Sequence, residues 1–475
     1  MPDRPPDDST PTRNEIDALR ERAERAERER EALRRENERL RRENERLRTE
    51  LEAARRAGCR QAAPFSKNRS SPHARRPGRK PGPAYGRPAH RPVPTHIDDT
   101  YDAPLPAACP SCAGAVIATG LATQYQEDLP PVRPIVRAFH VHIGQCQRCG
   151  RRVQGRHPLQ TSDALGAAAA QIGPRAAATA AVLHTQFGVP IGKVATLFQQ
   201  HFGLTMTPSG IVHALHRAAR QATPTYTALI ETVRQSPMVV PDETGWRVGA
   251  QLQWLWVGAT PRTTVYAIQP GRGFEQAAAL LGADFAGVLV RDGWAPYRQF
   301  EQAAHQTCLA HLLRRCRELQ TDHPRAPLPY RVQTVLQQAL HLRDRHAAGT
   351  ISAHGVAVAR GQLQARLATV LDQPTMVPAV RRFATHLDRE WPALFSFLYD
   401  PTIDATNWRA EQALRPAVVN RKVSGGNRTW LGAQTQQVLA TLFRTSSQRQ
   451  LDPLHILGDL LHDRVPRIAT ALFPT

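Results

Sequence analysis

A run of strand-like segments begins near the middle of the chain and restricts the folds that it can adopt. The first three are separated by short turns and predict an antiparallel meander: 238–246, 253–257 and 263–268. A helical stretch at Phe274–Leu281 comes next, and residues 287–294 contain an apolar run without alternation, which suits a strand buried on both faces. Residues 303–308 predict a further strand, and residues 309–319 predict a helix.

We interpret this order as three strands, helix, strand, helix, strand, which is the order of a ribonuclease-H-like fold. In that order Asp242 ends the first strand and Asp292 ends the fourth. Those two strands are neighbours in such a sheet, so two carboxylates far apart in the sequence would converge. Converging carboxylates bind Mg²⁺ or Mn²⁺, and two such ions can activate the attacking oxygen and stabilise the leaving oxygen at a phosphodiester.

A third carboxylate is needed to complete such a pocket. The best candidate is Glu411, in a short predicted helix that Asn407 or Thr406 could cap. Glu390 and Asp404 are the alternatives. A single Asp at a strand end is more often a turn or cap residue, and it is the joint placement of the carboxylates that favours a metal site.

Charge and composition favour a polyanionic partner. Lys and Arg number 62 against 41 Asp and Glu, which gives a formal net charge of +21 and a pI near 10.7, so nucleic acid is the first candidate. No apolar stretch is long enough to predict a membrane span, and the N-terminus does not resemble a secretory signal. We therefore expect a cytoplasmic protein whose seven cysteines stay reduced.

A heptad repeat near the N-terminus predicts a coiled coil. One seam position takes Ile16, Ala23, Arg30, Asn37, Asn44 and Leu51, and the other takes Leu19, Ala26, Leu33, Leu40 and Leu47. Polar Asn at a seam position favours a two-stranded, in-register pairing at some cost in stability. The alternative is a solitary charged helix. We expect residues 14–54 to form a dimerisation helix, so that the protein is a homodimer or a higher oligomer.

Residues 55–97 predict a basic linker rich in Pro and Gly. Residues 53–97 contain eleven Arg and Lys and no acidic residue, a composition that cannot bury a core. The same charge suits phosphate contacts that do not depend on sequence, and Arg76, Arg79 and Lys80 could lie in a minor groove.

Two Cys-x-x-Cys pairs predict a structural zinc site. The four ligands would be Cys109, Cys112, Cys146 and Cys149. Segments 123–129 and 135–143 between the pairs have the pattern of strands, so residues 98–158 are predicted to form a zinc ribbon. Four unrelated reduced thiols are the alternative. Because four thiolates leave no open position, we assign the zinc to folding rather than to catalysis.

Two short helices at 190–202 and 208–220 have the spacing of a helix-turn-helix, with Thr207 capping the second. An ordinary helical hairpin would have the same pattern. In the DNA-reading alternative, four side chains of the second helix could face a major groove: Ser209, His213, His216 and Arg217.

Several motifs and their order resemble one known family. They are Asp242-Glu243-Thr244, Arg291-Asp292-Gly293-Trp294, Cys308-Leu309-Ala310-His311 with Arg314 and Arg315, and Asn407-x-x-x-Glu411-x-x-Leu414-Arg415-Pro416 followed by Asn420-Arg421-Lys422. Over nearly the whole chain the sequence resembles the bacterial transposases of the insertion sequence 66 family, whose nuclease is of the Asp-Asp-Glu type. The resemblance implies that Asp242, Asp292 and Glu411 hold the catalytic metals. It also implies a basic loop, with Arg421, Lys422 and Arg428 contacting phosphates near Glu411.

The predicted fold is therefore a multidomain α+β and α/β chain with a ribonuclease-H-like catalytic core. We expect a coiled coil (14–54), a linker (55–97), a zinc ribbon (98–158), a helical DNA-binding region (159–235), the first part of the core (236–322), a helical insertion (323–402), the end of the core (403–445) and a C-terminal helical unit (446–475). Cys308, His311 and Cys316 could form a further metal site, but their position on a strand-to-helix turn favours roles in the core or the pocket wall.

The function expected on this basis is transposition. The protein would bind the ends of an insertion sequence, hydrolyse a phosphodiester to free a 3′-hydroxyl, and let that hydroxyl attack double-stranded target DNA. The family resemblance also suggests small accessory proteins of the same element. One alternative is a catalytically inactive DNA-binding regulator derived from a transposase. Another is a nuclease for RNA–DNA hybrids, which has little need of a coiled coil or a zinc ribbon.

Overall fold

The largest organised part of the molecule is a five-stranded mixed sheet with helices on both faces. The structure is a computed structural model that describes residues 21–22, 24–25, 27–40, 42–43, 46, 91–166 and 171–473. The strands are β1 (Ile143–Gln145), β2 (Arg152–Gln154), β3 (Met238–Val248), β4 (Gln251–Ala259), β5 (Thr264–Gln269), β6 (Val288–Arg291) and β7 (Ala304–Thr307). From residue 91 onward the α-helices are α1 (Pro174–Ala181), α2 (Ile191–Phe202), α3 (Pro208–Arg234), α4 (Phe274–Leu281), α5 (Leu309–Asp322), α6 (Pro327–Ala347), α7 (Ala353–Leu371), α8 (Pro378–Arg389), α9 (Trp408–Ser424), α10 (Trp430–Gln448) and α11 (Pro453–His462).

The sheet has the strand order β5-β4-β3-β6-β7. β3, β4 and β5 form an antiparallel meander, and β6 and β7 continue the sheet in parallel with β3. The predicted neighbours, the first and fourth strands, therefore pair. The predicted helix between the fourth and fifth strands is reduced to a short 3₁₀ helix, Ala295–Gln299, because its side chain Tyr297 and the adjoining Phe300 turn back into the core.

The first strand is longer than predicted. Asp242 does not end β3, because residues beyond it continue the hairpin with β4 as far as the pair Val248 and Gln251. The pairing of β3 with β6 ends shortly before Asp242, at the pair Val239 and Leu289. Asp242 thus lies within a strand, at the point where one of its two neighbours leaves.

Apolar side chains cover both faces of the sheet. Successive residues of a strand point to opposite faces, and here Val240, Leu255 and Val257 belong to one buried cluster whereas Val239 and Trp256 belong to another. The first cluster packs against α5 to α9, and the second packs against α1 to α4, α10 and α11. Such two-sided burial explains the apolar strand runs without alternation.

Polar side chains of α10 cover the edge strand β5. The backbone N–H groups of Thr264, Tyr266 and Ile268 donate to side chains on successive turns of the helix: Thr445 Oγ1 at 3.2 Å, Thr441 Oγ1 at 3.0 Å and Gln437 Oε1 at 2.9 Å. Four helical residues rise about 6 Å, and two strand residues rise about 6.6 Å, so the two repeats match. The helix thereby satisfies an edge that would otherwise present unpaired donors.

Residues 327–389 form three helices, α6 to α8, between β7 and α9. They pack in the first cluster and are also linked to the sheet by Glu390, which directly follows α8 and whose side chain is fully buried. Its Oε2 accepts from Arg291 at 2.6 Å and from the Thr307 hydroxyl at 2.6 Å, and its Oε1 accepts from Arg298 at 2.9 Å. Burial alone would raise the pKa of Glu390, but the hydroxyl and the two guanidinium groups hold it below its usual value. The charged carboxylate of Glu390 therefore links the helical insertion to the sheet through ion pairs and a hydrogen bond.

The helix pair proposed as a helix-turn-helix is present as α2 and α3, with Gly203 in the left-handed conformation at the turn. α3 is much longer than the predicted 208–220 and runs through Pro224 to Arg234. Its buried face is lined with Ala and Leu and packs in the second cluster, so the helix continues for as long as the core supports it.

Residues 91–166 contain less regular structure than predicted. β1 precedes the second cysteine pair and β2 follows it, and the two strands pair antiparallel. The strands predicted at 123–129 and 135–143 are absent apart from Ile143. Apolar residues there, such as Ile135 and Val136, are exposed, and alternation without a buried face and a hydrogen-bonded neighbour does not make a strand.

The described residues between 21 and 46 are helical. Glu and Arg one turn apart form ion pairs, including Glu31 with Arg35 at 2.8 Å and Glu36 with Arg39 at 2.7 Å. The seam residues Leu33 and Leu40 are exposed in the single chain. The coiled coil itself stays a prediction. No helix in the described part of the chain combines the length and the apolar content that crossing a bilayer requires.

We expect Thr441→Val to destabilise the protein by about 1–3 kcal/mol, because it leaves the buried Tyr266 N–H without a partner while keeping the side-chain shape. Denaturant unfolding measures the change. Thr227→Val, at an exposed position of α3, is the matched control and changes stability by about 0.5 kcal/mol or less. Equal effects of the two substitutions would contradict the role given to α10.

Candidate active site

Parallel pairing brings the two predicted aspartates to the same level of the sheet. Val239 of β3 is matched with Leu289 of β6. Asp242 and Asp292 each lie three residues further along these parallel strands, so both reach the same edge. The predicted convergence depends on this register, and a slip of one residue would turn one carboxylate to the other face.

Asp242 is held at both carboxylate oxygens. Its Oδ1 accepts from the backbone N–H of Glu243 at 2.8 Å, and its Oδ2 accepts from Asn407 Nδ2 at 3.3 Å. Burial raises the pKa of Asp242 to about 7, with further contributions from the negative charges of Glu243, Asp292 and Glu411. Asp292 and Glu411 therefore both act electrostatically on Asp242.

Asp292 directly follows β6 and is fixed by the turn that it begins. Its Oδ1 accepts from the backbone N–H of Trp294 at 2.9 Å, and its own carbonyl oxygen accepts from Arg291 at 3.0 Å. Arg291 in turn is paired with Glu390. The orientation of Asp292 thus depends on the ion pair of Arg291 with Glu390, which links the sheet to the helical insertion.

Glu411 stands in the first turn of α9, and Asn407 is the N-cap residue of that helix. The Asn407 side chain makes no helix-capping bond. Instead its Nδ2 reaches Asp242, and its Oδ1 accepts from the thiol of Cys308 at 3.1 Å. Because Cys308 also donates its N–H to the carbonyl of Arg291 at 2.7 Å, one buried contact ties α9 to both aspartate-bearing strands.

The two rival carboxylates are already neutralised. Glu390 is buried between Arg291 and Arg298. Asp404 is paired with Arg409 and accepts from Trp408 Nε1 at 3.3 Å. Neither contributes to the raised pKa of Asp242, whereas Glu411 does. Glu411 is therefore the best third carboxylate of this site.

Glu411 is partly exposed and has two weak cationic neighbours. Its Oε1 lies 3.9 Å from Arg314 and 4.0 Å from His311, both on α5. These distances exceed those of a charge-assisted hydrogen bond, so the carboxylate is free to exchange them for another partner. Nδ1 of His311 is buried and has no hydrogen-bond partner among the described residues.

The three carboxylates provide oxygen ligands of the kind that bind a hard divalent cation. Carboxylate oxygens are the ligands that Mg²⁺ prefers. Burial, with the neighbouring negative charges, raises the pKa of Asp242, and a bound cation would instead favour its charged form. In the described ranges, no group of three or more His, Cys, Asp or Glu side chains is close enough to hold a metal ion as it stands. A bound ion would therefore require the exposed Glu411 to approach the two aspartates.

A buried network beside Asp242 was not predicted from the sequence. Glu243 Oε1 accepts from Arg272 at 2.7 Å, and its Oε2 accepts from the hydroxyl of Tyr297 at 2.6 Å. The Arg272 guanidinium lies 4.0 Å from the ring centroid of Trp294. The network thus connects Glu243, which directly follows Asp242, with Trp294, two residues after Asp292. That closeness in sequence was the signal that could have indicated it.

Cys308 and Cys316 lie in the interior of the protein. Burial raises the pKa of the Cys308 thiol, and it raises that of Cys316 to about 12. Neutral thiols are poor metal ligands. Both residues are thus suited to packing, and Cys308 also forms the contact with Asn407 that helps to build the site.

The two cysteine pairs adopt the same turn. The backbone carbonyls of Cys109 and Cys146 each accept a hydrogen bond from the N–H four residues later. Their backbone N–H groups each donate to the carbonyl five residues later, and all four distances are 2.8–2.9 Å. Ala113 and Gly150 occupy the corresponding left-handed positions, with φ of 57° and 69°. Backbone hydrogen bonds lower the pKa of Cys109 and of Cys146, which favours the thiolates that zinc binds. Cys112 and Cys149 are exposed, and the four sulfurs do not form a cluster.

The residues proposed for DNA contact fall into three groups. Arg76, Arg79 and Lys80 lie outside the described residues. Ser209, His213 and Arg217 form an exposed stripe on successive turns of α3, whereas His216 turns inward and lies 2.7 Å from Thr435 Oγ1 of α10. Lys422 and Arg428 are exposed.

Arg421 is committed to an internal contact. Its guanidinium donates to the carbonyl of Gly245 and to the Thr244 hydroxyl, and burial lowers its pKa. The loop after α9 is also attached to the sheet, since Asn427 bonds Trp246 and Gly426 lies too close to the Arg247 carbonyl for any larger residue. Arg421 thus anchors α9 on β3 in this structure.

Comparison with known proteins identifies the family of this chain. The family described as "Transposase IS66 family" matches residues 169–435, more than half of the chain. A protein of Sinorhizobium fredii (strain NBRC 101917 / NGR234) named "Uncharacterized protein y4jD" is 25% identical over 402 residues, covering 78% of this chain and 77% of that protein. A second protein of that strain, "Uncharacterized protein y4qI", is 25% identical over 273 residues, covering 49% of each chain.

The matched range contains the whole mixed sheet, the helical insertion and α9, and thus all three predicted carboxylates. The chain belongs to the IS66 family of transposases.

Proposed function

We propose that this protein binds the ends of an insertion sequence and uses Asp242, Asp292 and Glu411 to cleave DNA and transfer the freed strand. Both reactions are in-line displacements at phosphorus and need no covalent protein intermediate. The observation that carries the proposal is the parallel pairing of β3 and β6, since it brings two distant aspartates to one edge beside Glu411.

The residues around the carboxylates would set their orientation. Backbone N–H groups of Glu243 and Trp294 hold one oxygen of each aspartate, and Asn407 holds the second oxygen of Asp242. Asp242, Asp292 and Glu411 would hold Mg²⁺ or Mn²⁺, which supplies charge neutralisation at the reacting phosphate and lowers the pKa of an attacking water. Arg314 and His311 would then be released from Glu411 and become available to DNA.

Other parts of the chain would bind and pair the DNA ends. The exposed stripe Ser209, His213 and Arg217 and the side chains of Lys422 and Arg428 suit phosphate or base contacts. The predicted N-terminal coiled coil would supply the dimer that pairing two ends requires. The two matching cysteine turns would share one structural zinc ion, which metal analysis of the purified protein tests directly.

The cleavage test uses the purified full-length protein, a labelled duplex carrying the element's end, and Mg²⁺ or Mn²⁺. We expect metal-dependent nicking at the end, and we expect Asp292→Asn to lower its rate on the order of a thousandfold, because several kcal/mol of transition-state stabilisation are lost. Asp284→Asn removes the same charge from an exposed position in the segment before β6, at the opposite end of that strand, and should leave the rate unchanged.

Binding of the end without nicking in either metal would contradict the proposal and would favour a DNA-binding regulator. Nicking of RNA–DNA hybrids in preference to the element's end would instead favour the hybrid nuclease. Equal loss of activity in Asp284→Asn and Asp292→Asn would remove the assignment of Asp292.

The raised pKa of Asp242 also predicts a pH dependence of stability in protein without added Mg²⁺ or Mn²⁺. The unfolded chain releases the proton near pH 3.8, but the folded protein keeps it to about pH 7. The folded state binds the extra proton in this window, so the native protein loses stability as pH rises through it. Asp242→Asn should abolish that loss and be more stable than native above pH 7, by at most about 4 kcal/mol.

Denaturant unfolding of the native protein and of Asp242→Asn across this pH range measures the difference. The exposed control Asp284→Asn should stay within about 0.5 kcal/mol of the native protein at every pH. A native and an Asp242→Asn curve that run parallel would show that Asp242 is not buried among unneutralised carboxylates.

A further inference from the structure

A cavity of about 250 Å³ lies between the catalytic sheet and the helical insertion. Its walls come from the turn after β6, from the first half of α5 and from α8, through residues that include Gly293, His311, Arg315, Arg382 and His386. Since a water molecule occupies about 30 Å³ in the liquid, the cavity has room for several waters or for one phosphate group. The proposed cleavage chemistry by itself gives this cavity no role.

The cavity is lined without any acidic side chain. Its lining residues are apolar, neutral or basic, and the basic ones come from both α5 and α8. The nearby Glu390 is fully engaged with Arg291, Arg298 and Thr307. Arg382 is exposed and forms no ion pair with the residues that the structure describes, and Arg315 has only the exposed partner Glu318. Such a surface attracts an anion.

The position of the cavity connects it with the carboxylates. Gly293 directly follows Asp292, and His311 lies 4.0 Å from Glu411. A Cβ atom on Gly293 would come within 2.7 Å of the His386 ring, so only glycine lets the insertion approach this turn so closely. A ligand in the cavity would therefore sit immediately beside a phosphodiester held by Asp292 and Glu411.

We propose that this cavity receives a backbone phosphate of the bound DNA next to the one that is cleaved, with Arg382 of the insertion as its main contact. The inference rests on the proposed DNA function and extends it by giving the insertion a role in positioning the substrate. Arginine and histidine N–H groups form charge-assisted hydrogen bonds with phosphate oxygens, and contacts of this kind fix the register of a protein on DNA.

The first test measures how salt concentration affects binding of the full-length protein to the element-end duplex, without Mg²⁺ or Mn²⁺ so that the DNA stays intact. Loss of one phosphate contact lowers the slope of log K against log salt by about 0.9. We expect this change for Arg382→Gln and not for Arg382→Lys. The matched control is Arg381→Gln, whose guanidinium faces the carbonyl of Thr375 instead of the cavity. Equal slopes for native protein and Arg382→Gln would overturn the proposal.

The second test identifies the phosphate. Duplexes that carry one neutral methylphosphonate at successive positions are bound by native protein and by Arg382→Gln. We expect one position near the cleaved bond where the neutral linkage weakens binding of the native protein but not of Arg382→Gln. Losses that are the same for both proteins at every position would overturn the assignment, even if the substitution lowers affinity by disturbing the fold.

Inorganic phosphate is another source of the same ligand chemistry. If phosphate at constant ionic strength raises the melting temperature of native protein but not of Arg382→Gln, and no methylphosphonate position distinguishes the two, the cavity binds free phosphate and the DNA assignment is wrong. Failure here is separable from failure of the proposed function. If the protein nicks the DNA but the salt slope of binding does not depend on Arg382, the phosphate site alone is wrong. If that slope depends on Arg382 but the protein does not nick the DNA, the phosphate site is supported and the nuclease proposal is wrong.

Discussion

The parallel pairing of β3 with β6 is the constraint on which the rest of the site depends. Asp242 lies in β3 and Asp292 directly follows β6. These strands are connected through β4, β5 and α4, and the register of Val239 with Leu289 sets the two aspartates at one level. Packing on both sheet faces fixes that register, because a slip by one residue would move Val240 out of its cluster and turn a carboxylate to the other face. The apolar layers that look merely structural therefore determine the geometry of the polar site.

Charge neutralisation separates structural from reactive carboxylates. Glu243, Glu390 and Asp404 are each paired with arginine in or near the core, and the pairs join neighbouring elements. Asp242 instead is buried near the negative charges of Glu243, Asp292 and Glu411, and its burial together with these charges raises its pKa to about 7. Uncompensated buried charge is costly, and a protein retains it where a cation or a substrate is to be bound. The electropositive cavity beside Asp292 supplies the complementary charge for DNA.

The features that local pattern and strand order determine could be predicted from the sequence. They are the neighbouring strands that carry Asp242 and Asp292, the helices of the insertion and the helix of Glu411. The contacts of Cys308 with Asn407 and of Glu243 with Tyr297 could not be predicted, because they depend on side chains that meet only after the layers pack. The strand predicted at 123–129 was wrong, because the alternating residues there have no neighbouring strand with which to form a sheet. Arg421 resembled a phosphate ligand by charge, and the structure directs it to β3.

The central claim is that Asp242, Asp292 and Glu411 share a divalent metal site. Fe²⁺ substituted for Mg²⁺ reduces added hydrogen peroxide to hydroxide and a hydroxyl radical, ascorbate returns the iron to Fe²⁺, and the radicals cut the polypeptide beside the bound ion. Mapping the fragments by mass spectrometry should give cuts next to all three residues, and Asp292→Asn should remove them while Asp284→Asn should not. Cuts at Glu390 or Asp404 in place of Glu411, or no cuts near the sheet edge, would contradict the account.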